Sequence, residues 1–408
     1  MTDSIEIVDY IMGSGKTSKI IEWMLNNPEN KYLFVSPLLT EVEDRIPQEA
    51  KDLDFVTPNT ETYGSKKQHL YHLLKDGRNI CFTHKLYSDM DSSCLALIKQ
   101  HGYTLILDEE VNFIQAMEGY TRSDISSLIQ AGHISVDDAD LGRVTWHWDI
   151  EAGHKFSRLK SLCDMGCIYS CRRDSETVTV HLPIELITSC KRVILLTYGF
   201  TGGVLERFLT LKKVNIIHCN EINLAERDRE IRNNITKRLV LSKPDGHKKI
   251  AHYSLSWTWW TKDSTLEQRQ TVLKTVSSFG QKVARLSGNK VTKDSLFYTI
   301  PKSVAERSSC RVVRFPFEEC FVSRSIRATN IYQHKWVLCH LYNRRSNTAI
   351  KAYLQDYLLS PDDDSFALYE MLQWIWRSRI RDNSDRPVYL YVASSRMERL
   401  LNDWLNNL

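Results

Sequence analysis

The stretch YIMGSGKTS, Tyr10 to Ser18, lies between an apolar run and an amphipathic run, and it decides how the first half of the chain folds. The apolar run Ile5 to Val8 predicts a strand, and Lys16 to Leu25 predicts a helix. A glycine turn between a strand and a helix that opens on Lys and Thr directs backbone N–H groups and the positive helix end at an anion. The match is partial because Tyr10 stands where the full phosphate-loop pattern has a small residue, and a ligand-free glycine bend is the alternative. As a phosphate loop, the stretch assigns these residues to ATP: Gly13, Ser14, Gly15, Lys16, Thr17 and Ser18.

Short β-rich runs alternate with helical stretches through the first half of the chain. This alternation is typical of an α/β fold with a parallel sheet, in which ligands gather at the carboxyl ends of the strands. The predicted strands are Ile5 to Val8, Tyr32 to Ser36, Asn79 to Thr83, Thr104 to Asp108 and Val193 to Thr197.

The length of 408 residues indicates two domains. We expect domain 1 at 1–210 with an insertion at about 112–190, a linker at 211–234, and domain 2 at 235–408. The second half has its own strand and helix signals, including Trp336 to Leu341 and Val388 to Val392 as strands and a terminal helix from Ser394.

The composition is that of a globular protein, with 42% hydrophobic and 25% charged residues and no apolar run long enough to span a bilayer. The acidic residues Asp3, Glu6 and Asp9 disfavour a targeting segment, so a cytoplasmic location is expected. Ten cysteines scattered through apolar stretches indicate reduced thiols. The formal net charge of +4 permits nucleic acid as a partner without requiring it.

The run TLILDEEVN places two carboxylates at the end of an apolar strand. From that position Asp108 would hold Mg²⁺ together with Thr17, and Glu109 would orient the attacking water. Two acids after a strand are often only a solvated turn. Their pairing with Lys16 and Thr17 favours a nucleotide site that hydrolyses ATP.

Polar residues also follow the other predicted strands. Hydroxyl groups and backbone amides at strand ends can hold nucleic-acid phosphates, and they can equally cap the next helix. The candidates for nucleic-acid contact or coupling in the first half are Ser36, Pro37, Thr83, His84 and Thr197.

The stretch YEMLQWIWRSRIR lies in a predicted helix from Phe366 to Arg381. On a continuous helix Gln373, Arg377 and Arg381 share one sector, while Arg379 points elsewhere. A solvated charged face is one interpretation. The other is a set of rigid guanidinium groups aimed at a γ-phosphate.

Two further groups of residues carry possible chemistry. Cys163, Cys167 and Cys171 are spaced by four, a wider spacing than zinc sites prefer, so buried free cysteines are the favoured interpretation. The run SLSWTWW contains Trp257, Trp259 and Trp260, whose indoles either stack on bases or pack in a core.

Motif by motif, the chain resembles the DEAD/DEAH-like superfamily 2 DNA/RNA helicases, and more closely a phage-type subgroup related to origin-binding helicases. The motifs that carry the resemblance are, in chain order, MGSGKTS (motif I), VSPL (Ia), FTHKL (Ib), LDEE (II), LLTYGF (III), RATN (V) and QWIWRSRIR (VI), with LYNRRSN following RATN as in that subgroup.

The resemblance implies a P-loop NTPase with two RecA-like domains that uses ATP and Mg²⁺. Lys16 and Glu109 would act in catalysis with Gln373, Arg377 and Arg381, although the motif leaves Arg379 as a rival to Arg381. Further residues implied in coupling the nucleotide to a bound strand are Arg327, Thr329 and Asn330.

The expected function is an ATP-dependent nucleic-acid helicase or translocase in phage or mobile-element replication or recombination. DNA is favoured over RNA, with replication or recombination proteins as possible partners and the host cytoplasm as the location if the chain is phage-encoded. Two alternatives use the same nucleotide residues: a nucleic-acid-binding ATP switch without unwinding, and a P-loop kinase or small-molecule ATPase.

Overall fold

A computed structural model describes residues 2–151, 153–305, 320–323, 331–382 and 384–407. The strands are β1 Ser4–Asp9, β2 Tyr32–Ser36, β3 Ile80–Thr83, β4 Thr104–Asp108, β5 Ile114–Ala116, β6 Ile134–Asp137, β7 Arg143–Trp146, β8 Ile168–Ser170, β9 Val178–His181, β10 Arg192–Thr197, β11 Asn215–His218, β12 Leu239–Leu241, β13 Leu296–Thr299, β14 Val337–His340 and β15 Val388–Val392.

The α-helices alternate with these strands. They are α1 Lys16–Leu25, α2 Ile46–Glu49, α3 Lys66–Lys75, α4 His84–Ser88, α5 Ser92–His101, α6 Arg122–Gln130, α7 Ser157–Asp164, α8 Glu185–Thr188, α9 Val204–Leu211, α10 Ala225–Arg238, α11 Leu266–Ser287, α12 Lys302–Ala305, α13 Thr348–Gln355, α14 Asp363–Ile375 and α15 Ser395–Asn406. Two π-helical turns cover Glu41–Arg45 and Trp259–Asp263.

A six-stranded sheet in the order β11-β1-β10-β4-β2-β3 contains the strands predicted from the first half of the chain. Every neighbouring pair is parallel. The sequences of these strands are continuously apolar because the central strands are covered on both faces. Leu105, Ile106 and Leu107 of β4, for example, are fully buried. The register pairs Asp9 with Thr197, so the carboxyl ends of β1 and β10 lie side by side.

The predicted insertion at about 112–190 contains a second sheet of a different kind. Its five strands run antiparallel in the order β5-β9-β8-β7-β6. The insertion has a small hydrophobic core, in which Ile125 and Leu128 of α6 pack with Val144, Leu159 and Ile168. The insertion therefore has a hydrophobic core that is separate from the core of the parallel sheet.

A four-stranded parallel sheet, β12-β15-β14-β13, forms the centre of the second half. The 22-residue helix α11 packs in the core of this sheet through Val272, Val276 and Phe279. It begins at a capping box in which Thr265 and Gln268 satisfy each other's backbone N–H groups.

The contacts divide the chain into two compact units: 1–9, 16–223 and 346–362 in the first, and 10–15, 224–345 and 363–408 in the second. Residues 346–362 therefore pack with the first unit, where the Tyr353 hydroxyl donates to the carbonyl of Leu141 at 2.9 Å. The domain boundaries stated from the sequence stay a prediction.

The predicted helix from Phe366 to Arg381 is wrong at its C-terminal end. Helix α14 ends at Ile375, and a short 3₁₀ helix, Arg379–Arg381, follows. Ser378 has extended backbone angles, and its hydroxyl donates to the Ile375 carbonyl at 2.7 Å while accepting from the N–H of Ile380 at 3.2 Å. A serine hydroxyl that bonds local backbone groups competes with the helix, and here it ends it.

Candidate nucleotide site

The phosphate-loop sequence forms a tight turn between β1 and α1. Gly13 and Gly15 have φ angles of 77° and 91°, in a region that favours glycine. Helix α1 begins directly after the turn, at Lys16. The first turn of a helix leaves backbone N–H groups without intrahelical partners, so this end of α1 is suited to an anion.

Two local features of the loop fit a phosphate group. The hydroxyl of Ser14 is buried and has no hydrogen-bond partner within the described residues. A Cβ atom at position 15 would meet no atom of the described residues within 4 Å, so these residues leave open space beside the start of α1. A buried hydroxyl without a partner is costly, and a bound phosphate oxygen would satisfy it.

Asp108 ends β4 at the same edge of the sheet as α1 begins. Burial, together with the negative charges of Glu109 and Glu41, raises the pKa of Asp108 to about 7, while Lys16 and Arg45 act in the opposite direction. Lys16 begins α1 and Asp108 ends β4 at the same edge of the sheet, where β10 lies between β1 and β4. Such a carboxylate, with Thr17 in the first turn of α1, is a suitable ligand set for Mg²⁺.

Glu109 has a backbone conformation that is rare for its residue type. Its φ angle is 65°, in the left-handed region, and its N–H donates to the carbonyl of Leu196 on the neighbouring strand β10 at 2.9 Å. The left-handed conformation costs a residue with a Cβ about 1 kcal/mol. A residue held in it at the end of a buried strand is a candidate for function.

Two of the candidate residues at the ends of β2 and β3, Ser36 and His84, lie close to Asp108. Ser36 is buried, and its hydroxyl lies 3.5 Å from a carboxylate oxygen of Asp108. The imidazole Nε2 of His84 lies 2.9 Å from the carbonyl oxygen of Asp108. Thr83 caps α4 by accepting a long hydrogen bond, 3.5 Å, from the N–H of Leu86. Pro37 lies in the bend that follows Ser36.

Two carboxylates that sequence reasoning missed hold the loop ends at this edge. The hydroxyl of Thr197 donates to Glu110 at 3.1 Å. Asp9, the last residue of β1, accepts hydrogen bonds from the N–H groups of Gly199 at 2.7 Å and Phe200 at 3.0 Å. Asp9 directly precedes the quoted run YIMGSGKTS and Glu110 is the last residue of the motif LDEE, but only the strand order shows which partners they meet.

Arg45 is a third missed residue, and it lies in the π-helical turn after β2. Its guanidinium donates to the hydroxyl of Ser18 on α1 at 2.8 Å. It also pairs with Glu41 at 3.3 Å and Glu49 at 2.9 Å. The sequence signal that could have found it is the spacing of Glu41, Arg45 and Glu49 by four. Ser18, assigned to ATP from the sequence, is thus held by a side chain of the protein.

The arginines of the predicted motif VI lie after α14 in the second unit. Arg377 is 6% exposed, and its guanidinium donates to the carbonyl of Ser323 at 2.9 Å. Gln373 lies on α14 itself, whereas Arg381 lies in the 3₁₀ helix, where burial lowers its pKa. Because α14 ends before Arg377, the single helical sector that favoured Arg381 over Arg379 does not exist.

Arg379 makes structural contacts. Its guanidinium lies over the ring of Trp336, 5.4 Å from the centroid, and the backbone N–H of Arg379 donates to the carbonyl of Lys335 at 2.8 Å. A cation over an indole face stabilises the local fold. The candidates Arg327, Thr329 and Asn330 lie outside the described residues.

The three cysteines of the insertion are buried and free. Burial raises the pKa of Cys163 and of Cys171 to about 12, which disfavours the thiolate that binds metals. Within the residues that the structure describes, no group of three or more His, Cys, Asp or Glu side chains could hold a metal ion. No helix in that part of the chain combines the length and apolarity that a membrane crossing requires.

Comparison with known proteins places this geometry in context. A family model described as the YonV C-terminal Rossmann-like domain matches residues 230–405. The SPbeta prophage-derived uncharacterized protein YonV of Bacillus subtilis (strain 168) is 28% identical over 429 residues, which cover 99% of each chain.

Two solved structures share the fold over nearly the whole chain. The structure named XPD_APO has a TM-score of 0.54 at 12% identity and matches 99% of this chain and 95% of its own. The structure named XPD_Helicase has a TM-score of 0.53 at 13% identity with the same coverage. The structural neighbours are thus XPD helicases, and the α/β fold with two RecA-like parallel-sheet domains is confirmed.

Proposed function

We propose that this chain is an ATP-dependent nucleic-acid helicase or translocase. The observation that carries the proposal is geometric: the glycine turn after β1 leads into α1 at Lys16, and Asp108 ends β4 at the same edge of the parallel sheet, with β10 between β1 and β4. A cation and a carboxylate at neighbouring positions of one sheet edge are what the hydrolysis of a magnesium-bound nucleoside triphosphate requires.

Each residue at this edge has a proposed role. The loop from Gly13 to Ser18 binds the phosphates of ATP through backbone N–H groups, and Lys16 neutralises their charge. Thr17 and Asp108 would hold Mg²⁺, which would neutralise charge on the phosphates. Glu109 orients the attacking water and accepts its proton. Gln373, Arg377 and Arg381 are proposed to act in catalysis on the γ-phosphate.

The likeness of fold to the XPD structures supports nucleic acid as the substrate on which the energy of ATP is used. The prophage origin of the YonV relative supports a role in phage replication or recombination, which favours DNA over RNA and the host cytoplasm as the location. The phage-type subgroup remains part of this proposal. Ser36, Pro37, Thr83, His84 and Thr197, with Arg327, Thr329 and Asn330, are proposed to contact the strand or couple it to the nucleotide.

Steady-state ATP hydrolysis by the purified protein tests the proposal. It would be measured alone and with single-stranded DNA, duplex DNA and RNA, with Lys16→Ala as the blank. We expect stimulation by one of these polymers, about tenfold or more, and no turnover by the blank. Hydrolysis that no polymer changes would overturn the proposal in favour of a kinase or small-molecule ATPase. Nucleic-acid binding that ATP strengthens, without hydrolysis of the ATP, would favour the alternative of an ATP switch without unwinding.

A further inference from the structure

The structure separates the three tryptophans of SLSWTWW. Trp260 is fully buried, and its indole N–H donates to the carbonyl of Leu341 at 3.2 Å. Trp259 is 7% exposed and lies in the same core. Trp257, in contrast, is 46% exposed. With nearly half of its surface exposed, Trp257 contributes less burial to stability than the other two tryptophans and leaves part of its indole accessible to a ligand.

The exposed indole of Trp257 is held in one orientation. Its Nε1–H donates to the hydroxyl of Ser303 at 3.3 Å. Its backbone carbonyl accepts from the hydroxyl of Thr261 at 2.8 Å. A hydrogen bond at the polar edge of an aromatic ring leaves the faces of the ring accessible to a ligand. Because the ring is already oriented, less conformational entropy is lost when the ligand binds.

The anchor lies at the edge of the sheet where ligands gather. Ser303 is in α12, which begins three residues after the end of β13 at Thr299. The carboxyl ends of parallel strands form the binding edge of an α/β domain. Trp257 therefore stands beside the binding edge of the second sheet and not on its covered faces.

The charges around the indole suit a polyanion that carries bases. The ammonium of Lys262 lies 6.0 Å from the centre of the Trp257 ring, and Lys302 precedes the anchoring Ser303. Asp263, next to Lys262, is the acidic neighbour in sequence. A ring with a cation beside it is the arrangement that grips single-stranded nucleic acid, with bases on the ring and phosphates on the cations.

We propose that Trp257 stacks on an unpaired base of a bound single strand, with Lys262 contacting an adjacent phosphate. This inference rests on the proposed function, because it names a contact to the polymer on which the motor acts. Stacking needs a base face that is not already covered by its neighbours. Trp257 therefore favours single strands over duplexes and has little sequence preference.

The test measures binding of a fluorescent oligothymidylate of about twenty nucleotides by polarisation, for the wild type, Trp257→Ala and Trp257→Phe. We expect Trp257→Ala to weaken binding about tenfold, since stacking on one aromatic side chain contributes about 1–3 kcal/mol. Trp257→Phe retains a ring and stays within about threefold of the wild type. Leu286→Ala, which truncates another exposed apolar side chain of the same unit, leaves binding unchanged. Circular dichroism checks that each variant is folded.

A second probe separates stacking from phosphate binding. On a strand of the same length that lacks all bases, the wild type and Trp257→Ala bind equally, because neither has a base to stack on. If the wild type binds oligothymidylate and Trp257→Ala binds it equally well, the inference about Trp257 is overturned and the proposed function stands. If the wild type binds no single strand and no polymer stimulates its ATPase, the proposed function fails, and this inference fails with it.

Discussion

The guanidinium of Arg45 donates a hydrogen bond to the hydroxyl of Ser18 at 2.8 Å, and so links the π-helical turn after β2 to the first turn of α1. The same arginine lowers the pKa of Asp108, while the nearby Glu41 raises it. Arg45 therefore acts on the phosphate loop and on the proposed magnesium ligand at once. π-Helical turns occur frequently at functional sites, and this one brings a cation to the edge of the sheet where we propose that the nucleotide binds.

Replacing Arg45 with alanine should impair ATP hydrolysis through Asp108 as well as through Ser18. Loss of the cation lets the pKa of Asp108 rise further, so the pH midpoint of turnover moves upward. We expect turnover near neutral pH to fall about three- to tenfold, which corresponds to roughly 1 kcal/mol. Arg45→Lys keeps the charge and should keep the midpoint while losing part of the affinity for ATP.

The matched control is Arg78→Ala, which removes an exposed arginine of the same unit that pairs with Asp54. The pH dependence of ATP turnover, measured for the wild type, Arg45→Ala, Arg45→Lys and Arg78→Ala, tests this prediction. An Arg45→Ala profile that is lower at every pH but keeps its midpoint would show that Arg45 acts only through the position of α1.

Asp108 should make ATP hydrolysis depend on pH near neutrality. Because its pKa is raised to about 7, part of the carboxyl is protonated near neutral pH, and only the ionised form binds Mg²⁺ well. Turnover at limiting Mg²⁺ should therefore rise with pH through about 7, and excess Mg²⁺ should move the midpoint to lower pH. A midpoint that does not respond to Mg²⁺ would contradict this role.

The same pKa shift predicts how stability changes with pH. In the unfolded chain an aspartate has a pKa of about 3.9. Between that value and about 7 the folded state binds more protons at Asp108 than the unfolded state does. The free energy of unfolding should therefore fall as pH rises across this window. Urea unfolding without Mg²⁺ should show a smaller decline for Asp108→Asn, and equal declines would show that Asp108 is not the group responsible.

The strands could be predicted from the sequence because burial on both faces of a parallel sheet leaves continuous apolar runs. Tyr32 to Ser36, Thr104 to Asp108 and Val388 to Val392 begin and end in the structure where the apolar runs predict. The position of Asp108 followed from the same argument, since a polar residue after a buried strand marks the edge of the sheet.

What the sequence did not predict depends on contacts between distant segments. Glu110 follows two carboxylates of a quoted motif, and nothing local indicates that its partner is Thr197 on β10. Arg45 is separated from Ser18 by a strand. Helix α14 was predicted too long because periodicity alone gives no weight to Ser378, whose hydroxyl bonds to the backbone and ends the helical turn.

The hydrogen bond between Thr197 and Glu110 should couple polymer binding to hydrolysis. It joins the end of β10 to Glu110, the residue after Glu109. Loss of this hydrogen bond should therefore make the position of Glu109, the proposed general base, less fixed. We expect Thr197→Val to reduce the stimulation of ATPase by single-stranded DNA about threefold or more, and Thr197→Ser, which keeps the hydroxyl, to restore it. Thr210→Val, which removes an exposed hydroxyl within α9, is the control. Equal stimulation of Thr197→Val and wild type would exclude a coupling role.

Because Glu109 has a left-handed backbone conformation, substitutions can test its chemical role separately from the free-energy cost of that conformation. Glu109→Gln keeps the backbone and the shape of the side chain but removes the base, so turnover should fall about 100-fold while ATP binding is retained. Glu109→Ala and Glu109→Gly both lack the carboxylate and should be equally inactive. They should differ in stability, because alanine keeps the cost of a positive φ and glycine does not.

Thermal unfolding therefore tests the backbone argument independently of activity. We expect Glu109→Gly to be more stable than Glu109→Ala by about 1 kcal/mol, the reverse of the order at an exposed position in a helix or strand. That order, together with inactivity of both variants, would mean that the chain accepts strain at the end of β4 in order to direct a carboxylate at the nucleotide. If alanine proves the more stable substitution, the positive φ is not a constraint on the wild-type fold, and the orientation of Glu109 needs another cause.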